Sequence, residues 1–373
     1  NRMINLSRPN ISEQAIESVA RVLRSGQLVH GPESETFEQE LAAYLGCQEA
    51  ILVSSGTAAL HLALMALDIG PGDAVLVPDF TFPATANAVM AVGALPVLVD
   101  VSADTYNLDP QRLRQAIEGW RGAERLRAVM PVHEFGHPAD MTTINGIAEE
   151  HGLYVVEDAA CALGANLNGR KTGTFGDLAC FSFHPRKTLT TGEGGLLTTD
   201  NQELAQRARR LRNHGMERTD TGMRFMEPSL NYRLTNFQAA LGRAQLPSLD
   251  GWITDRRELA ALYMENLTAL AGEGLLSLPN ADPGHSWQTF MVVLNGRFDR
   301  TEVIAKLKAA GIESNLGAQS MQEIGLYGPA SDMCKVGPQL YAQGLALPLY
   351  ERMTPDQIRQ VAESLRAVLS DAD

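Results

Sequence analysis

Short apolar strands alternate with helical segments between residues 50 and 199, and this alternation constrains the fold more than any other feature of the chain. Seven strands are predicted, at 51–53, 74–77, 96–99, 128–132, 153–156, 178–183 and 195–199. Strands that alternate with helices form a mostly parallel sheet covered by helices on both faces. The last two predicted strands close the series without an intervening helix. We therefore predict an α/β fold with a mostly parallel seven-stranded sheet.

Further helices flank this core in the sequence. Apolar spacing predicts helices at 11–24, 33–45 and 201–212, then a loop over 213–230 and one long helix near 235–270. A strand at 289–293 and a helix at 301–310 follow. The last helix begins with Thr354 as N-cap, Pro355 at the first position and Gln357 in a capping box. We predict a large domain over 1–245 and a smaller C-terminal α+β domain over 246–373.

Composition narrows the class of partner. The chain has 373 residues and a formal net charge of −13, with no block of lysine and arginine, so we expect no nucleic-acid partner. Its four cysteines, at 47, 161, 180 and 334, form no CxxC pair, so neither a disulfide framework nor a metal site is expected. There is no signal-like start and no apolar run of about 20 residues. These features favour a cytoplasmic protein without a membrane partner.

Three groups of polar residues follow predicted strands. Ser55-Gly56-Thr57 directly precedes a helix, and backbone N–H groups at a helix N-terminus bind phosphate well. Asp158 ends another strand, and Lys187 lies in a loop after a third. Each also has an ordinary interpretation, as an N-cap turn, a helix cap and a surface lysine. Ligands of parallel sheets bind at the carboxyl ends of strands, where all three groups lie.

Together the three groups match the needs of pyridoxal 5′-phosphate. That cofactor requires a phosphate site, a carboxylate that keeps its ring nitrogen protonated and a lysine that forms a Schiff base. The first group, Asp158 and Lys187 supply these in turn, and the small Ala160 leaves room for a flat ring. Sequence spacing alone does not establish that the groups meet.

The chain also resembles the DegT/StrS-type sugar aminotransferases, which are fold type I pyridoxal-phosphate enzymes. The resemblance extends almost from end to end. The matching motifs are Leu6-Ser7-Arg8-Pro9, Ser25-Gly26, Gly31-Pro32, Ser54-Ser55-Gly56-Thr57-Ala58-Ala59-Leu60, Pro71-Gly72-Asp73, Thr81-Phe82, Pro131-Val132-His133, Glu157-Asp158-Ala159-Ala160, Phe181-Ser182-Phe183-His184-Pro185, Lys187, Gly192-Glu193-Gly194-Gly195, Arg212-Asn213-His214-Gly215, Asn231-Tyr232-Arg233 and Leu347-Pro348-Leu349.

The resemblance implies a role for each residue at a matching position. Lys187 is the Schiff-base lysine, and Asp158 pairs with the ring nitrogen. Ala160 lies against one face of the ring and Phe82 stacks on the other, although Phe82 could instead be a core residue. The residues implied to hold the phosphate are Gly56, Thr57 and Ser182, with Asn231 or Arg233 from a partner subunit. A site shared in this way implies a homodimer.

Substrate contacts and departures from the family pattern are less defined. Side chains that could meet sugar or nucleotide phosphates are His30, His184, Arg212 and His214, each of which could equally be structural. Arg186 is interpreted as a solvated charge. Cys161 stands where the family commonly has histidine or glutamine, and Glu134 after His133 is unusual. The segment 314–323 lacks the histidine that many relatives have there. We expect these departures to affect substrate choice more than the chemistry.

The resemblance implies an aminotransferase that moves an amino group from glutamate to a nucleotide-linked keto-sugar. The product would be an amino sugar for a surface polysaccharide or a glycosylated metabolite. An amino-cyclitol ketone is an alternative acceptor. A sugar dehydratase of the same family would carry histidine in place of Lys187, and a non-catalytic regulator would not need Lys187, Asp158 and Ser182 together. A nicotinamide-dependent oxidoreductase is disfavoured because the glycines at 192–195 lead into a strand rather than a helix.

Overall fold

A computed structural model describes residues 3–328 and 334–371 of the chain. The elements up to residue 199 are α1 (Glu13–Ser25), α2 (Pro32–Leu45), β1 (Glu49–Val53), α3 (Gly56–Ala66), β2 (Asp73–Pro78), β3 (Phe80–Thr81), α4 (Ala84–Ala91), β4 (Leu95–Val99), α5 (Pro110–Gly119), β5 (Arg125–Val129), α6 (Met141–Glu150), β6 (Tyr154–Asp158), β7 (Asn166–Leu167), β8 (Arg170–Lys171), β9 (Leu178–Ser182) and β10 (Gly195–Thr199).

The large sheet contains all seven predicted strands. Within the described residues its order is β1-β10-β9-β6-β5-β2-β4. Only β10 runs against its neighbours, since it pairs antiparallel with both β1 and β9, and the remaining pairs are parallel. The prediction of a mostly parallel seven-stranded sheet is therefore confirmed.

Helices cover both faces of this sheet, which explains its apolar strands. Every residue of β10 is buried, as are Ala50–Val53 of β1. The helix α3 is apolar almost all round, because it packs between the sheet and the neighbouring helices α4 and α7 (Gln202–Arg212). A helix that is apolar on all sides needs such a buried position. The site at its N-terminus is consequently held by a rigid element.

The remaining elements follow α7 along the chain. They are β11 (Met216–Thr219), β12 (Gly222–Phe225), α8 (Asn236–Gln245), α9 (Leu249–Gly272), β13 (Leu276–Ser277), β14 (Phe290–Leu294), α10 (Arg300–Ala309), β15 (Gln319–Ser320), α11 (Met321–Ile324), α12 (Val336–Gln343), β16 (Gly344–Leu347) and α13 (Pro355–Ser370). The expected Thr354 capping box of α13 is present.

Two details of the sequence prediction are wrong. The segment 213–230 contains the antiparallel hairpin β11–β12 instead of being entirely loop. The single helix predicted near 235–270 is two helices, α8 and α9, separated by the 3-10 turn Leu246–Ser248. Pro247 lies in this turn, and a proline inside a helix removes a hydrogen bond and clashes with the preceding turn. The apolar residues on both sides of Pro247 have helical spacing, and this spacing led to the prediction of one continuous helix.

The C-terminal layer has its own core. The antiparallel sheet β13-β14-β16 packs with α9, α10 and α13 around residues such as Tyr263 and Phe290. Ile4 joins this core through a bridge to Ile312, and β15 pairs with β3 beside the large sheet. The domain boundary at 245/246 stays a prediction. Among the helices of the described residues, none combines the length and apolar character needed to span a bilayer.

Candidate active site

A cavity of about 540 Å³ lies where the carboxyl ends of the parallel strands meet. Loops after β1, β2, β5, β6 and β9 form most of its wall, and the N-terminal segment and the C-terminal layer complete it. This edge of a parallel sheet is the usual ligand site. Residues singled out from the sequence that line the cavity are Gly56, Thr57, Phe82, Glu134, Asp158, Ala160, Cys161, Ser182, His184, Arg186, Lys187, Glu193, Leu316, Gly317 and Ala318.

One wall combines a helix N-terminus with hydroxyl groups. Ser55 caps α3, and its Oγ accepts a hydrogen bond of 3.0 Å from the Ala58 amide. The first amides of a helix have no acceptor within the helix, so they are available to a ligand. A Cβ at Gly56 would lie 2.9 Å from the Cβ of Ser182, so only glycine permits this close approach. The result is a cradle suited to phosphate.

Asp158 lies buried at the end of β6. Its Oδ2 accepts a hydrogen bond of 2.7 Å from the Thr85 hydroxyl, and its Oδ1 accepts one of 3.1 Å from the Ala160 amide. Burial raises the pKa of this carboxyl above its ordinary value, and the two hydrogen bonds partly oppose that effect. A cationic group in the cavity would therefore be strongly favoured beside it.

Lys187 projects toward Cys161. The lysine Nζ donates to the Cys161 Sγ at 3.2 Å. Burial raises the pKa of that thiol, and the positive charge of Lys187 opposes the shift. Cys161 thus contacts the lysine directly, which the sequence did not suggest.

The loop around Lys187 is anchored from both ends. The Phe183 amide donates to the Gly194 carbonyl at 2.8 Å, which closes the loop at its base. From α8, the Gln245 side chain binds both backbone groups of Thr190. Lys187 is therefore presented by a constrained turn rather than a mobile surface loop.

Phe82 is an exposed aromatic side chain on the cavity wall. It is 66% exposed, so the alternative of a core phenylalanine is wrong. The preceding residue, Thr81, pairs with Gln319 in the β3–β15 bridge, which fixes the backbone at that point. Ala160 also lines the cavity. The ring of Phe82 is thus available to a flat ligand.

Three of the four candidate substrate residues lie outside the cavity of their own chain. The Arg212 guanidinium is buried and donates to Glu38 at 2.8 Å and to the Leu52 carbonyl at 2.9 Å, which is a structural arrangement. His30 lies near the same Glu38, and burial lowers the pKa of its imidazole. His214 has an exposed side chain and a left-handed backbone, with φ of 59°. Only His184 lines the cavity, and burial lowers its pKa.

Asn231 and Arg233 also lie outside this cavity. The Asn231 Oδ1 accepts from the Arg233 amide at 3.1 Å, and the Arg233 guanidinium donates to Asn213. Asn231 is exposed, and Arg233 is half-buried. The single chain therefore does not bring them to the phosphate cradle.

Two polar residues of the site had no role in the sequence prediction. Thr85 is a buried residue of α4 whose hydroxyl orients Asp158, and nothing in its sequence context indicates that contact. Glu134 is 4% exposed and lines the cavity, and its Oε2 has no hydrogen-bond partner in the part of the chain that the structure describes. Burial, with the charge of Asp158, raises the pKa of Glu134 to about 8. The sequence feature that could have pointed to Glu134 is the unusual occurrence of a glutamate directly after His133.

The C-terminal layer supplies a wall of small and apolar residues. Leu316, Gly317 and Ala318 line the cavity within the segment that lacks a histidine. A Cβ at Gly317 would meet the Met291 sulfur at 2.2 Å, so this backbone is closely packed. The histidine-free segment therefore faces the cavity without a titratable side chain at these three positions.

The family of the chain follows from comparison with known proteins. A sequence model of the DegT/DnrJ/EryC1/StrS aminotransferase family matches residues 9–366. The chain belongs to this family. Its members are pyridoxal-phosphate-dependent sugar aminotransferases, so the chain is such an enzyme and its cofactor is pyridoxal 5′-phosphate.

Individual relatives are similar over most of their length. GDP-perosamine synthase of Caulobacter vibrioides is 40% identical over 338 residues, covering 89% of each chain. The UDP-N-acetyl-3-dehydro-alpha-D-glucosamine 3-aminotransferase of Acidithiobacillus ferrooxidans is 37% identical over 366 residues, or 96% of this chain and 95% of that one. Among solved structures, the aminotransferase TlmJ from Streptoalloteichus hindustanus has a TM-score of 0.92 at 30% identity, with full coverage of both chains.

The residues of the cavity fit the cofactor of this DegT-family enzyme. A Cβ at position 56 would crowd the phosphate cradle against Ser182, so the cradle requires glycine there. The buried carboxylate of Asp158 suits a protonated ring nitrogen, and the Lys187 amine is available to an aldehyde. The orphaned oxygen of Glu134 leaves one further polar group for a ligand.

Glu134→Gln should change the pH dependence of stability in the protein freed of cofactor. In the unfolded chain Glu134 ionises near 4.5, whereas in the folded chain its pKa is about 8. Between these values the unfolded state binds fewer protons, so the wild-type protein loses stability relative to the variant as pH rises. The difference in free energy of unfolding should grow by up to about 4 kcal/mol between pH 5 and 8.

Urea denaturation of both proteins across this pH range measures the difference. Glu193→Gln, which changes an exposed carboxylate of the same cavity, is the matched control and should give a nearly constant difference from wild type. A constant difference for Glu134→Gln as well would show that Glu134 is not held protonated.

Proposed function

We propose that the enzyme transfers an amino group from glutamate to a nucleotide-linked keto-sugar and works as a homodimer in the cytoplasm. The observation that carries this proposal is the meeting of three groups in one cavity: the N-terminus of α3, the Asp158 carboxylate and the Lys187 amine. Relatives named for GDP- and UDP-linked products support a nucleotide sugar. A spore coat polysaccharide biosynthesis protein of Bacillus subtilis, 36% identical over 394 residues, supports a role in surface polysaccharides.

Gly56, Thr57 and Ser182 are proposed to bind the cofactor phosphate. The helix N-terminus offers backbone donors and a favourable dipole, and the two hydroxyls add further hydrogen bonds. The position of Ser182 at the end of β9, beside Gly56, supports its part in this proposal. Phe82 and Ala160 would lie on opposite faces of the ring.

Asp158 is proposed to hold the proton on the ring nitrogen. The bound cofactor supplies an electron sink for the carbon that carries the amino group. Thr85 and the Ala160 amide fix the carboxylate without neutralising it, so its negative charge is directed at the cation. In a buried site this electrostatic interaction is much stronger than in water.

Lys187 is proposed to bind the cofactor aldehyde and then to move protons. Once the donor amine has displaced it, its Nζ would remove a proton from the amino-bearing carbon of glutamate. The Cys161 Sγ, 3.2 Å from Nζ, would keep the released amine pointing into the cavity. The same steps in reverse would aminate the sugar ketone, which gives ping-pong kinetics.

The homodimer is supported by apolar side chains that the single chain leaves exposed. Around the β11–β12 hairpin, Met223, Phe225 and Met226 are 63%, 71% and 53% exposed. Large exposed apolar groups that cluster in this way are typical of interaction surfaces. Asn231, which closely follows this hairpin, and Arg233 would then reach the phosphate of the partner's site.

The sugar and nucleotide would occupy the open side of the cavity. His184 and Arg186 line it, and the Arg186 side chain is exposed, so a cation is available to a phosphate or carboxylate.

The cytoplasmic location is inferred from the cysteines. Cys47, Cys161 and Cys180 are thiols, as expected in a reducing environment.

Lys187→Ala should abolish both the absorbance of lysine-bound cofactor and transamination. Loss of the amine removes both the covalent link and the proton carrier, so activity should fall by at least about a thousandfold. Lys306→Ala, an exposed lysine on α10, is the control and should behave as wild type. Wild-type turnover by Lys187→Ala would refute the assignment.

Mixing two inactive variants tests the shared site. Lys187→Ala and Arg233→Ala subunits, unfolded and refolded together, should form mixed dimers in which one of two sites is intact. Random pairing makes half of the dimers mixed, so about a quarter of wild-type activity should return. The same experiment is then run with Asn231→Ala in place of Arg233→Ala.

Lys187→Ala mixed with Asp158→Asn is the matched control. Each site takes both Lys187 and Asp158 from the same subunit. Every site in the mixed dimer therefore carries one of the two substitutions, and no activity should return. Equal recovery in the control and test mixtures, or none in either test mixture, would contradict the proposed contribution of Asn231 and Arg233.

A further inference from the structure

Glu134 is a buried carboxyl group, one oxygen of which has no hydrogen-bond partner among the described residues. It lies in the 3-10 turn Glu134–Gly136 after β5, is 4% exposed and lines the cavity. Its backbone is fixed, because its amide donates to the Asn107 Oδ1 at 2.8 Å. Within the described residues its Oε2 has no hydrogen-bond partner. Buried polar atoms almost always have partners, so an orphaned oxygen in a side chain that lines a ligand cavity points to the ligand.

A neighbouring glutamate shows what a structural carboxylate looks like in this protein. Glu157 is also buried, but its oxygens accept hydrogen bonds from the amides of Gly173, Phe175 and Gly176 at 2.9 Å each. Its Oε1 is also 2.8 Å from the His133 Nε2, which carries the proton because the Nδ1 accepts from Ala139. Although burial acts to raise it, the pKa of Glu157 is held below its ordinary value by these donors. Glu134 has no comparable set of donors.

The proposed cofactor orientation indicates which ring group Glu134 would meet. With the phosphate in the α3 cradle, the ring nitrogen at Asp158 and the aldehyde carbon at Lys187, the polar group of the ring still without a partner is its hydroxyl. That hydroxyl lies next to the aldehyde carbon, on the side away from the phosphate. Glu134 interacts electrostatically with Asp158, Lys187 and Cys161 and takes no part in the cradle. Of these groups, Cys161 has only a weak thiol to offer.

We propose that Glu134 binds the cofactor's ring hydroxyl oxygen, to which its carboxylic acid donates a hydrogen bond. This inference rests on the cofactor orientation given under the proposed function. The thiol of Cys161 cannot supply a strong hydrogen bond to this hydroxyl oxygen. Glu134, in the loop after the neighbouring strand β5, would supply it instead. Glu134 thereby sets how firmly the proton is held on the nitrogen that joins Lys187 to the cofactor.

The direction of the effect follows from charge. The negative charge on the ring oxygen attracts the proton on the neighbouring nitrogen. A hydrogen bond from Glu134 to the same oxygen partly neutralises that negative charge, so the nitrogen loses its proton at a lower pH. The raised pKa of Glu134, about 8, keeps this donor protonated near neutral pH. The charged or titratable groups that act on it are Asp158, Lys187 and Cys161.

The test is a pH titration of the absorbance of bound cofactor in the wild-type holoenzyme and in Glu134 variants. Glu134→Leu removes the donor and should raise the midpoint by about one pH unit, a tenfold change in the proton dissociation constant. Glu134→Gln keeps an N–H donor and should stay within about 0.3 units of wild type. Glu134→Ala is a second apolar variant, used if the leucine prevents folding. Glu302→Gln, at an exposed carboxylate on α10 outside the cavity, should leave the midpoint unchanged.

The outcomes separate this inference from the proposed function. If wild-type protein shows no lysine-bound cofactor absorbance, the proposed role of Lys187 fails. If that absorbance is present but the apolar variants titrate like wild type, only the role of Glu134 fails. A Gln variant shifted as far as the apolar variants would also refute hydrogen-bond donation.

Discussion

The buried carboxylate of Asp158 is the interaction on which the rest of the site depends. It sits at the end of the central strand β6, where burial penalises its charge and the Thr85 hydroxyl, the Ala160 amide and the charge of Lys187 partly compensate. A protein keeps an anion in such a position when a cation is to be bound beside it. The cradle at α3 and the amine of Lys187 lie on the same cavity, so a ligand of fixed length is oriented by three chemically different groups.

Strand alternation accounts for how these groups meet. Once six of the seven strands run in one direction, the residues that follow them are brought to one edge of the sheet. That is why Ser55-Gly56-Thr57, Asp158 and Lys187, far apart in the sequence, could be predicted as one site. The C-terminal layer then closes the cavity, since residues 316–318 are carried there beside the β3–β15 bridge. The large sheet therefore positions these chemical groups, and the C-terminal layer forms a further part of the cavity wall.

The parts that the sequence did not reveal depend on side-chain contacts without a periodic signal. In the sequence Thr85 is indistinguishable from other helix residues, although in the structure its hydroxyl donates to Asp158. The contact of Cys161 with Lys187 depends on the turn after β6. Arg212 matches a family motif, yet its guanidinium donates to Glu38 and to the Leu52 carbonyl and does not line the cavity. Pro247 interrupts a helix whose apolar spacing continues on both sides. Glu134 is marked in the sequence only as an unusual residue, and its proposed role rests on an oxygen that has no partner among the described residues.

The most direct test of the central claim follows the two half-reactions separately in the wild-type holoenzyme. Glutamate should convert the cofactor from the lysine-bound form to the amine form and release about one equivalent of 2-oxoglutarate per site. A panel of nucleotide-linked keto-sugars and keto-cyclitols is then added to the amine form. The account predicts that at least one nucleotide-linked keto-sugar restores the original absorbance. An absorbance unchanged by glutamate, or restored only by a keto-cyclitol, would contradict it.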